Sequence, residues 1–329
     1  MGEVPSDAFD LVDLKLVHAL EVAGRAPFSR IAEALGVSDQ TVARRFRKLR
    51  SSVGLRVVGA RDGIRLGQEE WLLRLRCTPD GSETIARALA RRPDTTWITV
   101  ASAGTEVFCR MRVRSRGEYE DLILAKLPRT PTIVGIHAYQ FLHRFFGGPS
   151  SWLEKTPALT PQEAAQLRDP VGEPEAAAPV RITEDDEPLV RALERDGRTT
   201  YPELARVTGR SETAVRRRLS QLIGSGAVYL DVEYAPDRFG FGTRAFLWVT
   251  AVPSALRDVG EALARHPEVS YVGAIAGGPC NLVAVVATRD SHELFRYLTE
   301  RFGSLPGVAH AETSPVLWRV KQLAQEQSG

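Results

Sequence analysis

Apolar positions along this chain follow two alternating periodicities. Leu11, Leu14, Val17 and Leu20 recur at helical spacing, and Gly24 then stops the helix. A short second helix is expected over about 28–35, a tight turn at Gly36 and Val37, and a third helix in which Val42, Phe46 and Leu49 share one face. Beyond it the period changes to two. Residues 71–77 and 244–250 alternate as half-buried strands do, and each run leads to a helix ending in the same words, at 88–93 and 262–267. Further strands are expected over 96–101 and 106–113, and over 269–275 and 281–287. A helix (117–126; 291–302) and a last strand (132–140; 307–314) complete each βαββαβ unit.

The two occurrences are a duplication. At a fixed offset of 173, without a gap, residues 13–49 and 186–222 are identical at 15 of 37 positions, among them Asp13/Asp186, Gly24/Gly197, Arg25/Arg198, Gly36/Gly209, Ser38/Ser211 and Arg45/Arg218. The predicted fold class is therefore α+β: a winged helix-turn-helix followed by a ferredoxin-like βαββαβ domain, the pair occurring twice. The expected boundaries are 8–60 and 67–147 for the first pair, a proline-rich linker over 148–181, and 182–235 and 240–325 for the second. Inside the linker Thr160-Pro161-Gln162-Glu163 has the form of a capping box, predicting a short helix to about Asp169.

The doubled three-helix segment has the chemistry of a helix-turn-helix. Ala32 and Ala205 let the second helix approach the third, Gly36 and Gly209 supply the positive φ that ends it, and Ser38 and Ser211 cap the third helix. Charge sharpens this reading. The chain holds 43 Lys and Arg against 41 Asp and Glu, a net charge of +2, so only local clusters can argue for a partner. Only five of the cations are lysines and Asn281 is the lone asparagine, a bias of GC-rich coding that makes scattered arginine uninformative. Yet 38–50 carries +4 and 210–218 carries +3. Surplus positive charge on the third helix of each copy points to double-stranded DNA. Gln40, Arg44, Arg47, Thr213, Arg216 and Arg217 are candidates for base edges, and Arg45, Lys48 and Arg218 for phosphates. Because Gln40 becomes Thr213, Ala43 becomes Arg216 and Arg47 becomes Ser220, the copies should prefer different half-sites or differ in strength. A solvated basic face of a protein-interaction module is the plainer alternative.

Composition excludes several classes. At 43% apolar and 26% charged the chain is that of a soluble globular protein, and no run approaches the ~18 apolar residues of a membrane helix. Cys77, Cys109 and Cys280 are odd in number and widely spaced, which fits a reduced cytoplasm rather than a disulfide framework or a zinc site. Gly2 with Ser6 matches a myristoylation pattern only loosely. The G-x-G-x-x-A run at 240–245 precedes a strand, where a dinucleotide fingerprint must open a helix. His137 and His143 read as core or surface imidazoles. No metal site, cofactor or catalytic residue is expected.

The helix-turn-helix followed by βαββαβ, the pattern Ser-x-x-x-Val-x-Arg-Arg in each third helix, the Ala-Leu-Ala-x-x-Pro of each sheet domain, and Gly307-Val308 with Glu312-Thr313 together resemble the Lrp/AsnC, or feast/famine, regulators. The resemblance implies a sequence-specific transcriptional regulator reading a pseudo-palindromic site, a homo-oligomer of dimer or higher order, and an amino acid or related metabolite as effector. In that family a Thr-Gly-x-Tyr/Phe-Asp loop marks the effector site. Its counterparts here are Ala103-Gly104-Thr105-Glu106-Val107 and Gly277-Gly278-Pro279-Cys280-Asn281, so Gly104, Thr105, Glu106, Gly278, Pro279, Cys280 and Asn281 are the effector-loop candidates. The glycine survives in both copies and the aromatic and aspartate in neither, implying either a changed ligand or a loop that serves assembly. Sirohaem decarboxylases resemble the same architecture, which leaves an enzyme as the alternative, alongside a scaffold that has lost DNA binding. The sheet domains could pair within one chain or between chains.

Overall fold

A computed structural model describes residues 9–113, 121–150, 153, 155, 157–168 and 181–323. The first copy runs α1 (Leu11–Val22), α2 (Phe28–Leu35), α3 (Asp39–Ser52), β1 (Arg56–Arg61), β2 (Glu70–Cys77), α4 (Ser82–Ala90), β3 (Thr95–Ala101), β4 (Glu106–Arg112) and β5 (Ile133–Phe146), with helical turns over 121–129 before β5. The linker contributes α5 (Pro161–Leu167). The second copy runs α6 (Glu187–Arg195), α7 (Tyr201–Thr208), α8 (Glu212–Gly224), β6 (Val228–Glu233), β7 (Thr243–Ala251), α9 (Leu256–Arg265), β8 (Val269–Ala276), β9 (Leu282–Thr288), α10 (Ser291–Arg296, helical to Phe302) and β10 (Val308–Lys321). The Gly2/Ser6 pattern, residues 117–120 of the expected helix, and the linker over 169–180 lie outside the described residues.

The chain does not divide between its copies. One compact unit takes Met1–Leu66 with Gly148–Gly240, and the other takes Gly67–Gly147 with Phe241–Gly329. The first unit therefore gathers both helix-turn-helix segments and the linker, and the second gathers both sheet domains.

In the first unit, local sequence sets the helix ends. Asp10 and Asp13 form a reciprocal capping box at the start of α1, Ser38 accepts from the Thr41 amide and Ser211 from the Ala214 amide, and Gly36 and Gly209 end α2 and α7 at φ 65° and 67°. Val42 and Leu49 on α3, and Val215, Leu219 and Leu222 on α8, are buried against the preceding helices. Each copy supplies a single wing strand, and the two strands complete one another: β1 and β6 pair antiparallel, with Gly59 opposite Leu230. The linker is more than a spacer. Thr160 and Glu163 form the expected capping box, and α5 is fastened to the first copy by Lys15 Nζ to Glu163 Oε1 (2.6 Å), the Leu159 amide to His18 Nδ1 (3.2 Å), and Arg30 to the Gln166 and Arg168 carbonyls (3.1 and 2.9 Å).

The second unit is a closed barrel of order β10-β3-β4-β2-β5-β8-β9-β7. Its closure corrects the expected strand lengths. The last strand of each copy is 14 residues long. Its first part pairs with its own sheet, β5 to β2 and β10 to β7, and its second part crosses to the other copy, β5 to β8 and β10 to β3. Pairing of the sheet domains is thus intrachain. Alternation along the strands builds three cores. Leu73, Leu75, Ile85, Leu89, Ile98 and Val107 fill the first domain, Leu247, Val259, Leu263, Val272 and Leu282 fill the second, and Leu72, Phe108, Tyr139, Trp248, Ile275 and Val283 fill the barrel interior between the sheets.

The crossing strand is tightly fitted. A β-carbon on Gly260 of α9 would lie 2.3 Å from the Phe145 ring at the far end of β5. Gly260→Val should lower unfolding stability by about 1–3 kcal/mol in a denaturant titration. Gly224→Ala, where a β-carbon meets nothing within 4 Å, serves as the neutral control. Equal midpoints for the two variants would mean that α9 is not seated on β5.

Candidate nucleic-acid interface and effector loops

The outward faces of the two third helices carry the residues expected there. Gln40, Arg44, Arg47 and Lys48 of α3 are exposed, as are Thr213, Arg216 and Arg217 of α8. Among the described residues the equivalent pair Arg44 and Arg217 makes no hydrogen bond or ion pair, so both guanidinium groups are free to meet an anion or a base edge. Arg47 turns its Nε to the Ala43 carbonyl (3.3 Å). The Arg216 guanidinium lies 4.0 Å from the centre of the Tyr201 ring.

Arg45 and Arg218, expected at phosphate, pair with carboxylates of their own copy. Arg45 Nη1 donates to Asp13 Oδ1 (2.8 Å) and Asp10 Oδ1 (2.7 Å), and at the equivalent place Arg218 donates to Asp186 through Nε (3.0 Å) and Nη2 (2.6 Å). Asp13 and Asp186 are 0% and 1% exposed, so each needs a cation, and the third helix supplies it. These two arginines fix the third helix against the first while staying partly exposed. Lys48 leans the same way, 3.7 Å from Asp13 and over the Phe9 ring, while its side chain stays half exposed. Burial alone would raise the Asp186 pKa, but the Arg218 guanidinium and the Thr183 amide and hydroxyl outweigh it and hold the carboxyl well below its usual range.

Between the helix-turn-helix segments lies a reciprocal clasp that sequence reasoning did not single out. Arg25 of the first copy donates to the Gly197 and Thr199 carbonyls (2.5 and 2.8 Å), and its counterpart Arg198 donates to those of Gly24 and Ala26 (2.7 and 2.9 Å). Each guanidinium also lies over the other copy's ring, Arg25 over Tyr201 (4.9 Å) and Arg198 over Phe28 (4.7 Å). A β-carbon on Gly24 or Gly197 would meet both Val57 of β1 and Leu230 of β6 within 3.2 Å, so glycine at these positions lets the two copies close. The signal was present: Gly-Arg is kept in both copies just past the first helix.

In the second unit the loop candidates serve mostly internal ends. Glu106 is buried, accepting from Arg74 Nε (2.6 Å), Ser102 Oγ (2.6 Å) and Ser314 Oγ (2.7 Å). Arg74 also pairs with Glu312 and lies 4.6 Å over the Trp248 ring, whose Nε1 donates to Ser314 (3.1 Å). Thr105 is exposed and donates to the Ser102 carbonyl (2.7 Å), beside Gly104 at φ 85°. In the second loop Asn281 imitates a strand neighbour, accepting from the Ala251 amide (2.9 Å) and donating to its carbonyl (2.7 Å). The Pro279 carbonyl accepts from Thr250 (2.9 Å), and a β-carbon on Gly278 would strike the Tyr139 ring at 2.5 Å. Cys280 is buried, which pushes its thiol pKa up. Among the described residues no group of three or more His, Cys, Asp and Glu side chains could hold a metal ion, and no helix is long and apolar enough to cross a membrane.

Comparison with known proteins agrees with this anatomy. The AsnC-type helix-turn-helix domain matches residues 9–50 and 182–223, and the Lrp/AsnC ligand binding domain matches 244–325. An uncharacterized HTH-type transcriptional regulator of Pyrococcus abyssi is 33% identical over 144 residues, covering 44% of this chain and 90% of that protein. One from Pyrococcus horikoshii is 32% identical over the same length and shares. The crystal structure of the siroheme decarboxylase NirDL superposes on 96% of this chain and 94% of its own with a TM-score of 0.62, at 14% identity, which establishes a common fold and nothing further. The chain belongs to the Lrp/AsnC family of helix-turn-helix transcriptional regulators. Its particular form is the tandem one, with two helix-turn-helix segments and two ferredoxin-like domains in a single chain.

Because the native Asp186 pKa is depressed, its ion pair adds stability that is full above the unfolded value of about 4 and is lost as pH falls through the native one. Asp186→Asn should therefore cost about 1–3 kcal/mol at pH 7, with a smaller gap from the unaltered protein near pH 3. Denaturant titrations at both values check this. A gap independent of pH would assign the loss to packing.

Proposed function

We propose that one chain reads a single pseudo-palindromic stretch of double-stranded DNA, using α3 and α8 as a pair assembled before binding. The observation that supports this is the reciprocal Arg25/Arg198 clasp together with the β1–β6 ladder, which join the two helix-turn-helix segments through equivalent residues in one compact unit. Half-sites separated by multiples of ~10 bp suit such a pair. Gln40, Arg44, Arg47, Thr213, Arg216 and Arg217 face base edges in this reading, and Lys48 meets phosphate. Arg45 and Arg218 act indirectly, by setting the angle of the reading helices.

Two half-sites then require one copy of the chain, where an unduplicated relative would need two. Assembly of whole chains into dimers or larger oligomers is an additional step, set by surfaces other than the two pairings already made within the chain. An amino acid or related metabolite is the proposed effector. The internal bonds of Glu106 and Asn281 favour a loop that has turned to assembly over one that binds an ordinary amino acid through those side chains. The decarboxylase-like alternative rests on fold alone.

The test is anisotropy with the protein's own promoter region at about 50 and 200 mM salt, with and without a metabolite panel. Specific binding should weaken steeply with salt, and Arg44→Ala and Arg217→Ala should each cost about 1–3 kcal/mol on the specific site. A loss equal on unrelated sequences would reassign both arginines to phosphate, and absence of specific binding in every condition would overturn the regulator reading.

A further inference from the structure

We infer that the two halves of the operator are read unequally: the first copy, through Gln40, Arg44 and Arg47, carries most of the base discrimination, the second contributes chiefly Arg217, and the chain consequently occupies its site in one orientation. This rests on the DNA reading above.

The centre of the seam between the helix-turn-helix segments is symmetric. Gly24, Arg25, Phe28 and Val57 in the first copy are matched, at the constant offset of 173, by Gly197, Arg198, Tyr201 and Leu230, and the matched residues make matched contacts. Position for position, then, α3 and α8 are built in alike, and what differs is the chemistry of their outward faces. Gln40 and Arg47 can each grip a base edge with two hydrogen bonds, the amide suited to adenine and the guanidinium to guanine. Their counterparts Thr213 and Ser220 offer one short hydroxyl each, which either base can satisfy. Only Arg44 and Arg217 are the same residue in the two copies, exposed in both and without an ion pair or hydrogen bond among the described residues.

Arg216 does not restore the balance. It replaces Ala43, but its guanidinium sits 4.0 Å from the centre of the Tyr201 ring, a ring that also receives Arg25 of the first copy at 4.9 Å. In the first copy the matching ring, Phe28, is covered by Arg198 at 4.7 Å and by the Phe46 ring at 5.2 Å. Arg216 stays exposed, but it reaches a base edge only by leaving that ring. Bracing differs in kind: Arg61 of β1 holds α6 of the second copy through Glu187 (2.7 Å) and Glu194 (2.8 Å), and the linker holds the first copy. Lys15, His18 and Arg30 tie α1 and α2 to the linker segment around α5, whereas their counterparts in the second copy are Pro188, Arg191 and Glu203, which cannot repeat those bonds.

Selection of the full-length chain against a random DNA pool, followed by sequencing of the bound fraction, tests this. The expected motif has a conserved guanine at matched positions of both halves and additional conserved positions in one half only. On the selected site Arg47→Ala should lose on the order of tenfold in affinity, and Ser220→Ala less than about twofold, each checked for an unchanged melting curve. Ser220→Arg should raise conservation in the weaker half. A motif equally conserved in both halves, or equal losses from Arg47→Ala and Ser220→Ala, would overturn the inference while leaving the regulator reading intact. Failure to enrich any motif would overturn the regulator reading itself.

Discussion

Neither copy of this chain can satisfy its own strand edges, and the rest of the structure depends on that constraint. A strand edge is a row of unpaired amides and carbonyls, and leaving it buried without partners is costly. Among the described residues β1 pairs with β6 alone, and the second parts of β5 and β10 extend past their own sheets. Each copy therefore uses the other twice, once between helix-turn-helix segments and once between sheets. The compact units follow from this: they gather like with like across the duplication and leave neither copy as an independent body.

Electrostatics enforces the same partnership at finer scale. A carboxylate with almost no exposure at the start of each first helix demands a cation, and in both copies it comes from the third helix, through Arg45 or Arg218. Within the barrel, Glu106 of the first copy and Glu312 of the second share Arg74, and the hydroxyl of Ser314 bridges from Glu106 to the Trp248 indole. Such groups are stable only where several partners converge, so they specify one arrangement of the two copies rather than adding much net stability. A basic helix face consequently has two populations of arginine. Those that answer an internal carboxylate orient the helix, and Arg44 and Arg217 stay exposed on its outer face.

What the sequence by itself determined was local. Helix ends at Ser38, Gly36, Ser211, Gly209 and Thr160 were legible because a cap or a positive φ depends on a few adjacent residues, and strands such as β2 and β7 were legible because alternation reports a half-buried surface. Duplication was legible too, since identity at a constant offset needs no structure. Tertiary structure alone decided how far the last strands run. In the 141–146 extension both faces mix aromatic with basic residues, and register shifts interrupt the ladder, so no alternation marks the strand until β8 is beside it. It alone decided that Arg45 and Arg218 serve Asp13 and Asp186, because the acid and the base lie 32 residues apart and meet only when the helices pack. Likewise Glu106 and Asn281 occupy the positions of an effector loop, yet their bonds go to Arg74 and to the Ala251 backbone. A sequence states which charges a segment owns, and only packing states which of them are already answered.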